Sequence, residues 1–154
     1  MFARCKVNFA RLKTWSVSTA VAQYERQSIL SSVNGSIVSQ IRRGVLVLIG
    51  ISSKDEKQDI AYIVRKILNL RLFPNADGSR RWDKSVKDLG LEILCVSQFT
   101  LYSELKGNKL DFHRAMDPEL SEKVYASVVQ QIRENYVPER VKGTVRFSVS
   151  GNTS

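Results

Sequence analysis

The sequence has only two cysteines and one histidine among its 154 residues, so it is poor in the residues that build disulfide frameworks and zinc clusters. It also has only three prolines. Cys5 and Cys95 form no CxxC pair, so neither a disulfide framework nor a zinc cluster is predicted, and the cysteine usage fits a reducing compartment. No apolar run approaches the roughly 18 to 20 residues that span a bilayer. A membrane protein is therefore not predicted.

Common catalytic motifs are also missing, because the chain has no P-loop, no GxGxxG and no HExxH. A Ser-His-Asp triad would have to use the single histidine, His113, which has Asp111 two positions before it. A lone loop histidine is more often a hydrogen-bonded structural or surface residue, and that reading is preferred. The turn-rich stretch "PNADGSRRW" lacks the ligand spacing of a calcium loop and is predicted to be a plain turn.

Positive charge is in excess, with 24 Lys and Arg against 15 Asp and Glu, a net charge of +9. This balance favours a polyanionic partner. Residues 1–24 contain four basic residues and no acid. Such a composition suits either a basic N-terminal extension or an organellar transit peptide, and the domain is expected to occupy residues 25–154.

Local patterns then predict the main elements of the domain. Asn34-Gly35 between two apolar runs predicts a hairpin, and "GVLVLIG" (44–50) predicts a strand covered on both faces. Ser53 and Glu56 form a potential capping box for a helix that ends near Leu70. Its apolar stripe consists of Ile60, Ile63, Val64, Ile67 and Leu68.

The second half of the chain repeats strand, helix and strand. "LEILCVSQFTLY" reads as a strand followed by a polar loop, and Asp117-Pro118-Glu119 starts a second helix that ends near Asn135. Its predicted buried face contains Leu120, Val124, Tyr125, Val128, Val129 and Ile132. "TVRFSVS" alternates as a last strand. The fold class is α+β, with antiparallel or mixed sheets that form a barrel-like core and two main helices packed outside.

The strand "EILCVSQFTLY" ends in the polar stretch "SQFT", residues Ser97, Gln98, Phe99 and Thr100. Where a strand leaves a sheet, its backbone N–H groups lose ladder partners and can point at a ligand oxygen, as the developing oxyanion of ester hydrolysis requires. A strand end whose hydroxyls satisfy local backbone groups is the structural alternative.

"SQFTLY", together with "RKILNLRLF" (65–73) and "KGNKLDFHRAM" (106–116), resembles the D-aminoacyl-tRNA deacylase family over about residues 33–143. The resemblance implies a cytoplasmic homodimer that hydrolyses the ester between a D-amino acid, or mischarged glycine, and the terminal adenosine of tRNA. It implies no metal or organic cofactor and a proofreading role in translation. Import through residues 1–24 is the alternative location.

The resemblance also implies roles for individual residues. Ser97, Gln98, Phe99 and Thr100 would frame the pocket, with the Phe99 and Thr100 N–H groups as oxyanion donors and Gln98 positioning the ribose, while the ribose 2′-hydroxyl assists attack. Thr100 has no neighbouring base in sequence and is expected to act by position rather than as a nucleophile. Apart from the resemblance, positive charge makes Arg65, Lys66, Lys106 and Lys109 the candidate RNA contacts, and the alternative for the basic residues of the first helix is a solvated face.

The sequence departs from the family pattern at several points. The family's first strand is hard to recognise, Arg42 replaces a usual glycine and Leu110 a usual proline. The C-terminal Asn-x-Gly-Pro-Val-Thr stretch, whose glycine and cis-proline reject L-amino acids, is not found, and we therefore expect a C-terminally truncated form. The alternative function is a noncatalytic RNA-binding or dimerising remnant of the family.

Overall fold

A computed structural model of the chain describes residues 9–13, 18–24, 29–33, 36–98, 101 and 104–144. The helices are α1 (Lys57–Asn69), α2 (Val86–Leu89) and α3 (Pro118–Glu134), and a 3-10 helix covers Pro138–Arg140. The strands are β1 (Phe9–Lys13), β2 (Ser18–Tyr24), β3 (Ile29–Val33), β4 (Ser36–Ile41), β5 (Gly44–Gly50), β6 (Arg71–Phe73), β7 (Lys84–Ser85), β8 (Glu92–Ser97), β9 (Glu104–Lys106), β10 (Lys109–Asp111) and β11 (Val141–Thr144).

The main sheet has five strands in the order β1-β2-β5-β8-β11. β2 runs antiparallel to β1 and β5, whereas β5, β8 and β11 run parallel to one another. The remaining strands form two-stranded pairs, β3–β4, β6–β7 and β9–β10. The predictions of an α+β fold and of a mixed sheet are confirmed, and the barrel-like closure stays a prediction.

Alternating side chains of β5 and β8 enter two separate apolar clusters, as a strand covered on both faces requires. Val45, Val47, Ile49, Ile93 and Cys95 pack with α1 and α3 in the larger cluster. Leu94 and Val96 pack on the other face against Ile41 of β4, with half-buried Leu46 and Leu48 beside them. The helices therefore cover one face of the sheet, and the β3–β4 pair contributes to covering the other.

Helix α1 buries the predicted stripe of Ile60, Ile63, Val64, Ile67 and Leu68. Its predicted N-cap was wrong, because the helix starts at Lys57 with Glu56 as N-cap and Asp59 as the reciprocal partner. Ser53 instead donates a backbone hydrogen bond of 3.2 Å to the carbonyl of Arg114. A contact with a distant segment thus holds Ser53 outside the helix.

Helix α3 starts as predicted, since the Asp117 carboxylate accepts hydrogen bonds from the backbone N–H groups of Glu119 and Leu120. Tyr125, Val128, Val129 and Ile132 are buried and Val124 is half-buried. Leu120 was wrongly predicted to be buried, because its side chain is 53% exposed in the first turn. The helix ends at Glu134 with Asn135 as C-cap, as predicted.

Two short elements, a hairpin and a helix, were not predicted from the sequence. The polar loop after β8 contains the β9–β10 hairpin, whose turn uses Gly107 at φ 64°. Gly107-Asn108 is a two-residue turn signal that could have revealed it. Ser85 and Asp88 cap α2 reciprocally, and Gly90 ends the helix in the left-handed conformation. The last strand begins earlier than expected, at Val141, and its predicted residues 145–150 lie outside the described residues.

The predicted N-terminal extension includes residues that the structure places in the main sheet. Ser18–Tyr24 pairs along its whole length with Gly44–Gly50. Backbone pairing of this length makes β2 part of the fold rather than an appendage. Where the domain begins stays a prediction, and no helix in the described ranges is long and apolar enough to cross a membrane.

Candidate active site

The polar end of β8 lies at the edge of the sheet where the parallel strands β5 and β8 finish. Ser97 pairs with Ile49, and the Gln98 N–H donates a 2.8 Å hydrogen bond to the Ile49 carbonyl. The Gln98 carbonyl accepts a hydrogen bond from the Leu101 N–H at 3.3 Å. Ligands of open sheets with parallel strands commonly bind beyond the carboxyl ends of those strands. The backbone of Gln98 is therefore fixed at a position suited to ligand binding.

The predicted site residues differ in what the structure says of them. Ser97 and Gln98 are half-buried at this edge. Phe99 and Thr100 lie outside the described residues, so their roles as oxyanion donors stay predictions. The strand is held in the sheet up to Gln98, the residue before Phe99, by the hydrogen bond from the Gln98 N–H to Ile49.

A polar turn follows β5 at the same edge. The buried Ser52 donates from its N–H to the Asp55 carboxylate at 2.7 Å, and its hydroxyl accepts from the Lys54 N–H at 3.2 Å. Asp55 returns a backbone hydrogen bond of 3.1 Å to the Ser52 carbonyl. These contacts make the turn rigid beside the end of β8, and sequence reasoning did not single out Ser52.

The segment after the β9–β10 hairpin is joined to this turn by backbone contacts. The Met116 N–H donates to the Ile51 carbonyl at 3.0 Å, and an isolated antiparallel bridge links Ser52 with Ala115. These contacts span about sixty residues of chain and were not predicted from the sequence. They bring the hairpin to the same edge of the sheet as Gln98.

Asp111 is the centre of a charged network at the base of the hairpin. Its carboxylate forms an ion pair with Lys106, accepts a 2.9 Å bond from the His113 N–H and lies 2.9 Å from His113 Nδ1. The hydrogen bond from Lys106 and the two from His113 hold the pKa of Asp111 well below its usual range. His113 thus has a local carboxylate partner, as the structural reading of this histidine predicts, and its catalytic use stays untested.

The four candidate RNA contacts fall into two groups. Lys106 and Lys109 pair with each other next to the turn of the hairpin, and both are exposed. Arg65 and Lys66 are exposed near the end of α1. The segment after α1 reaches the start of β5, where the Arg43 guanidinium lies 5.6 Å from the centre of the Phe73 ring. The two groups therefore lie toward opposite ends of β5.

Other nucleophiles and metal ligands do not converge at this edge within the described part of the chain. Cys95 is fully buried two residues before Ser97, and burial raises the pKa of its thiol to about 12, so the thiol stays protonated near neutral pH. Among the described residues, no group of three His, Cys, Asp or Glu side chains is arranged to hold a metal ion. The described residues at this edge, Ser97 and Gln98, offer polar groups for hydrogen bonding.

Known proteins are similar to this chain in sequence and in fold. The family described as D-Tyr-tRNA(Tyr) deacylase matches residues 21–150. The chain therefore belongs to the D-Tyr-tRNA(Tyr) deacylase family. A D-aminoacyl-tRNA deacylase of Dictyostelium discoideum is 47% identical over 123 residues, which cover 80% of this chain and 81% of that protein.

Human and structural relatives agree with this family assignment. The human D-aminoacyl-tRNA deacylase 1 is 48% identical over 126 residues, 82% of this chain, and the match spans only 59% of the human protein's length. A solved structure named c-Myc DNA Unwinding Element Binding Protein is 47% identical, with a TM-score of 0.76 over 84% of this chain and 85% of that one. The fold of that solved structure is thus shared over most of the chain.

Proposed function

We propose that the chain hydrolyses the ester bond of D-aminoacyl-tRNA, releasing free tRNA and the D-amino acid, as a proofreading hydrolase of translation. The observation that carries this proposal is the fixed strand end at Gln98 in a chain of the deacylase family. An aminoacyl ester is labile, so positioning and oxyanion stabilisation suffice without a histidine-centred relay. Mischarged glycyl-tRNA, which carries no side chain, is proposed as a second substrate.

Different roles are proposed for Ser97, Gln98, Phe99 and Thr100 at the end of β8. Gln98, whose backbone is fixed on Ile49, is proposed to position the ribose, and Ser97 to form the pocket wall beside it. The N–H groups of Phe99 and Thr100 are proposed to donate to the oxyanion as the ester carbonyl is attacked. The ribose 2′-hydroxyl of the substrate assists that attack, and Thr100 acts by position.

RNA contacts are proposed on both groups of basic residues. Lys106 and Lys109 belong to the hairpin whose following segment joins the end of β5, and they are proposed to bind phosphates close to the esterified nucleotide. Arg65 and Lys66 lie toward the other end of β5 and suit a more distant part of the RNA. Each phosphate that a lysine or arginine neutralises makes binding weaker at higher salt.

A homodimer with a barrel-like core is proposed for the assembled protein. Leu46 and Leu48 lie in the middle of a central strand and are only half-buried, on the face of the sheet away from the helices. Apolar side chains at such positions favour further cover. The β3–β4 pair supplies part of it through Ile41, and a second subunit is proposed to supply more. Sedimentation equilibrium tests the dimer, and a monomer at all concentrations contradicts it.

The cytoplasm is proposed as the compartment, with organellar import through residues 1–24 as the alternative. Pairing of Ser18–Tyr24 with β5 supports the first, because removal of residues 1–24 would take a strand from the main sheet. A reporter fused to residues 1–24 distinguishes the two locations. A diffuse cytosolic signal supports the proposal, and an organellar signal overturns it.

A noncatalytic nucleic-acid-binding role is the second candidate. It is favoured by the net charge of +9 and by the 47% identical solved structure, whose name assigns that protein to a DNA unwinding element. Binding without hydrolysis is what this alternative predicts.

Single-turnover hydrolysis of D-tyrosyl-tRNA separates the two candidates. The enzyme is expected to release free tRNA faster than buffer, and Gln98→Ala to lower that rate at least 10-fold, the scale of an effect on positioning or oxyanion binding. Gln130→Ala, on the exposed side of α3, is the matched control. Tight tRNA binding with a wild-type rate equal to that of buffer would leave only the noncatalytic candidate.

A further inference from the structure

The loop between β6 and β7 (residues 74–83) presents three large side chains that neither the fold nor the candidate site uses. Arg80 is 79% exposed at its side chain, Trp82 is 54% exposed and Arg81 is also exposed. We propose that this loop is a second contact for the tRNA substrate, in which Arg80 and Arg81 bind backbone phosphates and Trp82 stacks on an unpaired base. The inference rests on tRNA being the substrate, as proposed above.

The backbone of the loop is rigid before any ligand binds. Asn75 exchanges hydrogen bonds with Arg80, donating its backbone N–H at 3.0 Å and accepting at its side-chain oxygen at 3.1 Å. The Asp77 carboxylate accepts from the Ser79 N–H at 2.9 Å, and Gly78 adopts the left-handed conformation at φ 74°. The Asp83 N–H closes the loop on the Phe73 carbonyl at 3.0 Å. A preorganised loop loses little backbone entropy on binding.

The acidic residues of the loop form at most weak contacts with Arg80 and Arg81, so both arginines are available to bind phosphate. Hydrogen bonds from Ser79 engage the Asp77 carboxylate and lower its pKa. The Asp83 carboxylate lies 3.5 Å from the Lys84 ammonium group and 4.0 Å from the Arg80 guanidinium. Arg81 forms no ion pair with any described residue. An exposed ion pair at such a distance contributes little, so Arg80 can exchange it for a phosphate.

An exposed tryptophan directly after two arginines fits nucleic acid better than another ligand. Stacking of a base on an aromatic ring is tolerant of sequence, and arginine adds planar, bidentate phosphate binding. Burying Trp82 in a protein interface would also require partners for both arginines, whereas RNA supplies phosphates beside its bases. The net charge of +9 favours the same polyanionic ligand.

The loop lies far from the candidate ester site at Gln98. Substitutions in the loop should therefore change tRNA binding and not the hydrolysis step. It is anchored on Phe73, next to Arg43 at the start of β5, whereas Gln98 lies beyond the end of β5. Five residue steps along β8 already separate the two ends of the sheet by about 17 Å. The loop therefore contacts a nucleotide other than the esterified adenosine, and it contributes to tRNA affinity rather than to bond cleavage.

Binding of uncharged tRNA and of heparin, measured by fluorescence anisotropy over a salt series, tests the inference without requiring hydrolysis. Arg80→Gln/Arg81→Gln is expected to weaken both ligands and to lower the slope of log K against log salt for tRNA by about 1 to 2. Trp82→Ala is expected to weaken tRNA about 5- to 100-fold and to leave heparin, which has no bases, unchanged. Trp82→Phe should restore part of the tRNA affinity.

Lys123→Gln, an exposed cation on α3, is the matched control, and each variant's melting temperature checks that it folds. Wild-type tRNA affinity in the arginine and tryptophan variants would overturn the inference, as would equal losses for tRNA and heparin in Trp82→Ala. Hydrolysis of a D-aminoacyl-adenosine fragment should be unchanged in all of them. The wild-type protein could also bind tRNA through this loop and yet show no hydrolysis. That result would overturn the proposed activity and support the loop contact.

Discussion

The buried hydroxyl of Tyr125 donates a 2.8 Å hydrogen bond to the carbonyl oxygen of Cys95, which joins α3 to the central strand β8. Tyr125→Phe removes the donor and leaves a polar group without its partner in the core. We expect a loss of about 1–2 kcal/mol in the free energy of unfolding, measured by urea denaturation. Tyr62→Phe, at an exposed position on α1, should stay within about 0.5 kcal/mol, and an equal effect of both changes would contradict the prediction.

Cys95 should be unreactive in the folded protein, because burial raises the pKa of its thiol to about 12. In a Cys5→Ser background, iodoacetamide at pH 8 is expected to leave Cys95 unlabelled until urea unfolds the chain. Mass spectrometry measures the labelled fraction. Labelling of the folded protein at the unfolded rate would show that the thiol is accessible.

The same shift predicts a pH dependence of stability. The folded state holds the thiol proton more tightly than the unfolded state, whose thiol has a pKa of about 8.5. This contribution is complete below about pH 8.5 and is lost as the pH rises toward 12. The decrease in unfolding free energy between pH 8 and pH 10 should therefore be smaller in Cys5→Ser/Cys95→Ala than in Cys5→Ser alone.

Asp111 should titrate below the usual range for a carboxyl group, mainly because of its hydrogen bond from Lys106. Lys106→Gln is expected to raise the pKa of Asp111, measured by carbon-detected NMR titration. Lys109→Gln removes the same charge from the opposite hairpin strand and should have a smaller effect, since no ion pair joins Lys109 to Asp111 among the described residues. An equal rise in both variants would show that net charge, rather than this contact, depresses the pKa.

The direction of that shift also fixes where Asp111 contributes stability. A carboxyl whose pKa is lowered by folding stabilises the fold above its unfolded pKa of about 3.9 and loses that contribution as the pH falls through the folded value. The hairpin contacts of Asp111 should therefore persist at pH 4 and weaken only in stronger acid. Chemical shifts of the His113 backbone N–H, which donates to Asp111, report this change.

Features encoded locally could be predicted from the sequence. The stripe of Ile60, Ile63 and Ile67 on α1 follows the 3.6-residue period, and Asp117 caps α3 because its neighbours in sequence supply the N–H groups. The first residue of α1 could not be predicted from the local sequence, because two residue pairs have capping-box spacing. These pairs are Ser53 with Glu56 and Glu56 with Asp59. The tertiary contact between Ser53 and Arg114 decided between them.

The candidate site shows the same limit. The end of β8 at Ser97 and Gln98 was predicted from an apolar run that turns polar, and the structure places it at the carboxyl edge of the parallel strands. The approach of Met116 to Ile51 depends on backbone contacts between segments far apart in the sequence, which no local pattern specifies. Leu120 was assigned to the core because periodicity gives the face of a helix but not the point along it where the core ends.

Gly44 should tolerate no side chain, because a Cβ atom built there would lie 1.9 Å from the carbonyl oxygen of Glu92. That oxygen belongs to the backbone of the neighbouring strand and can move only if β5 and β8 separate at their first pair. We expect Gly44→Ala to cost about 3 kcal/mol or more of unfolding free energy in urea. Gly143→Ala is the control, since its Cβ would meet only side-chain atoms, at 3.2 to 3.3 Å, and should cost about 1 kcal/mol. If both substitutions lower the unfolding free energy equally, β5 and β8 can separate at Gly44 at little cost. The close parallel pairing of β5 with β8 would then not require a glycine at position 44.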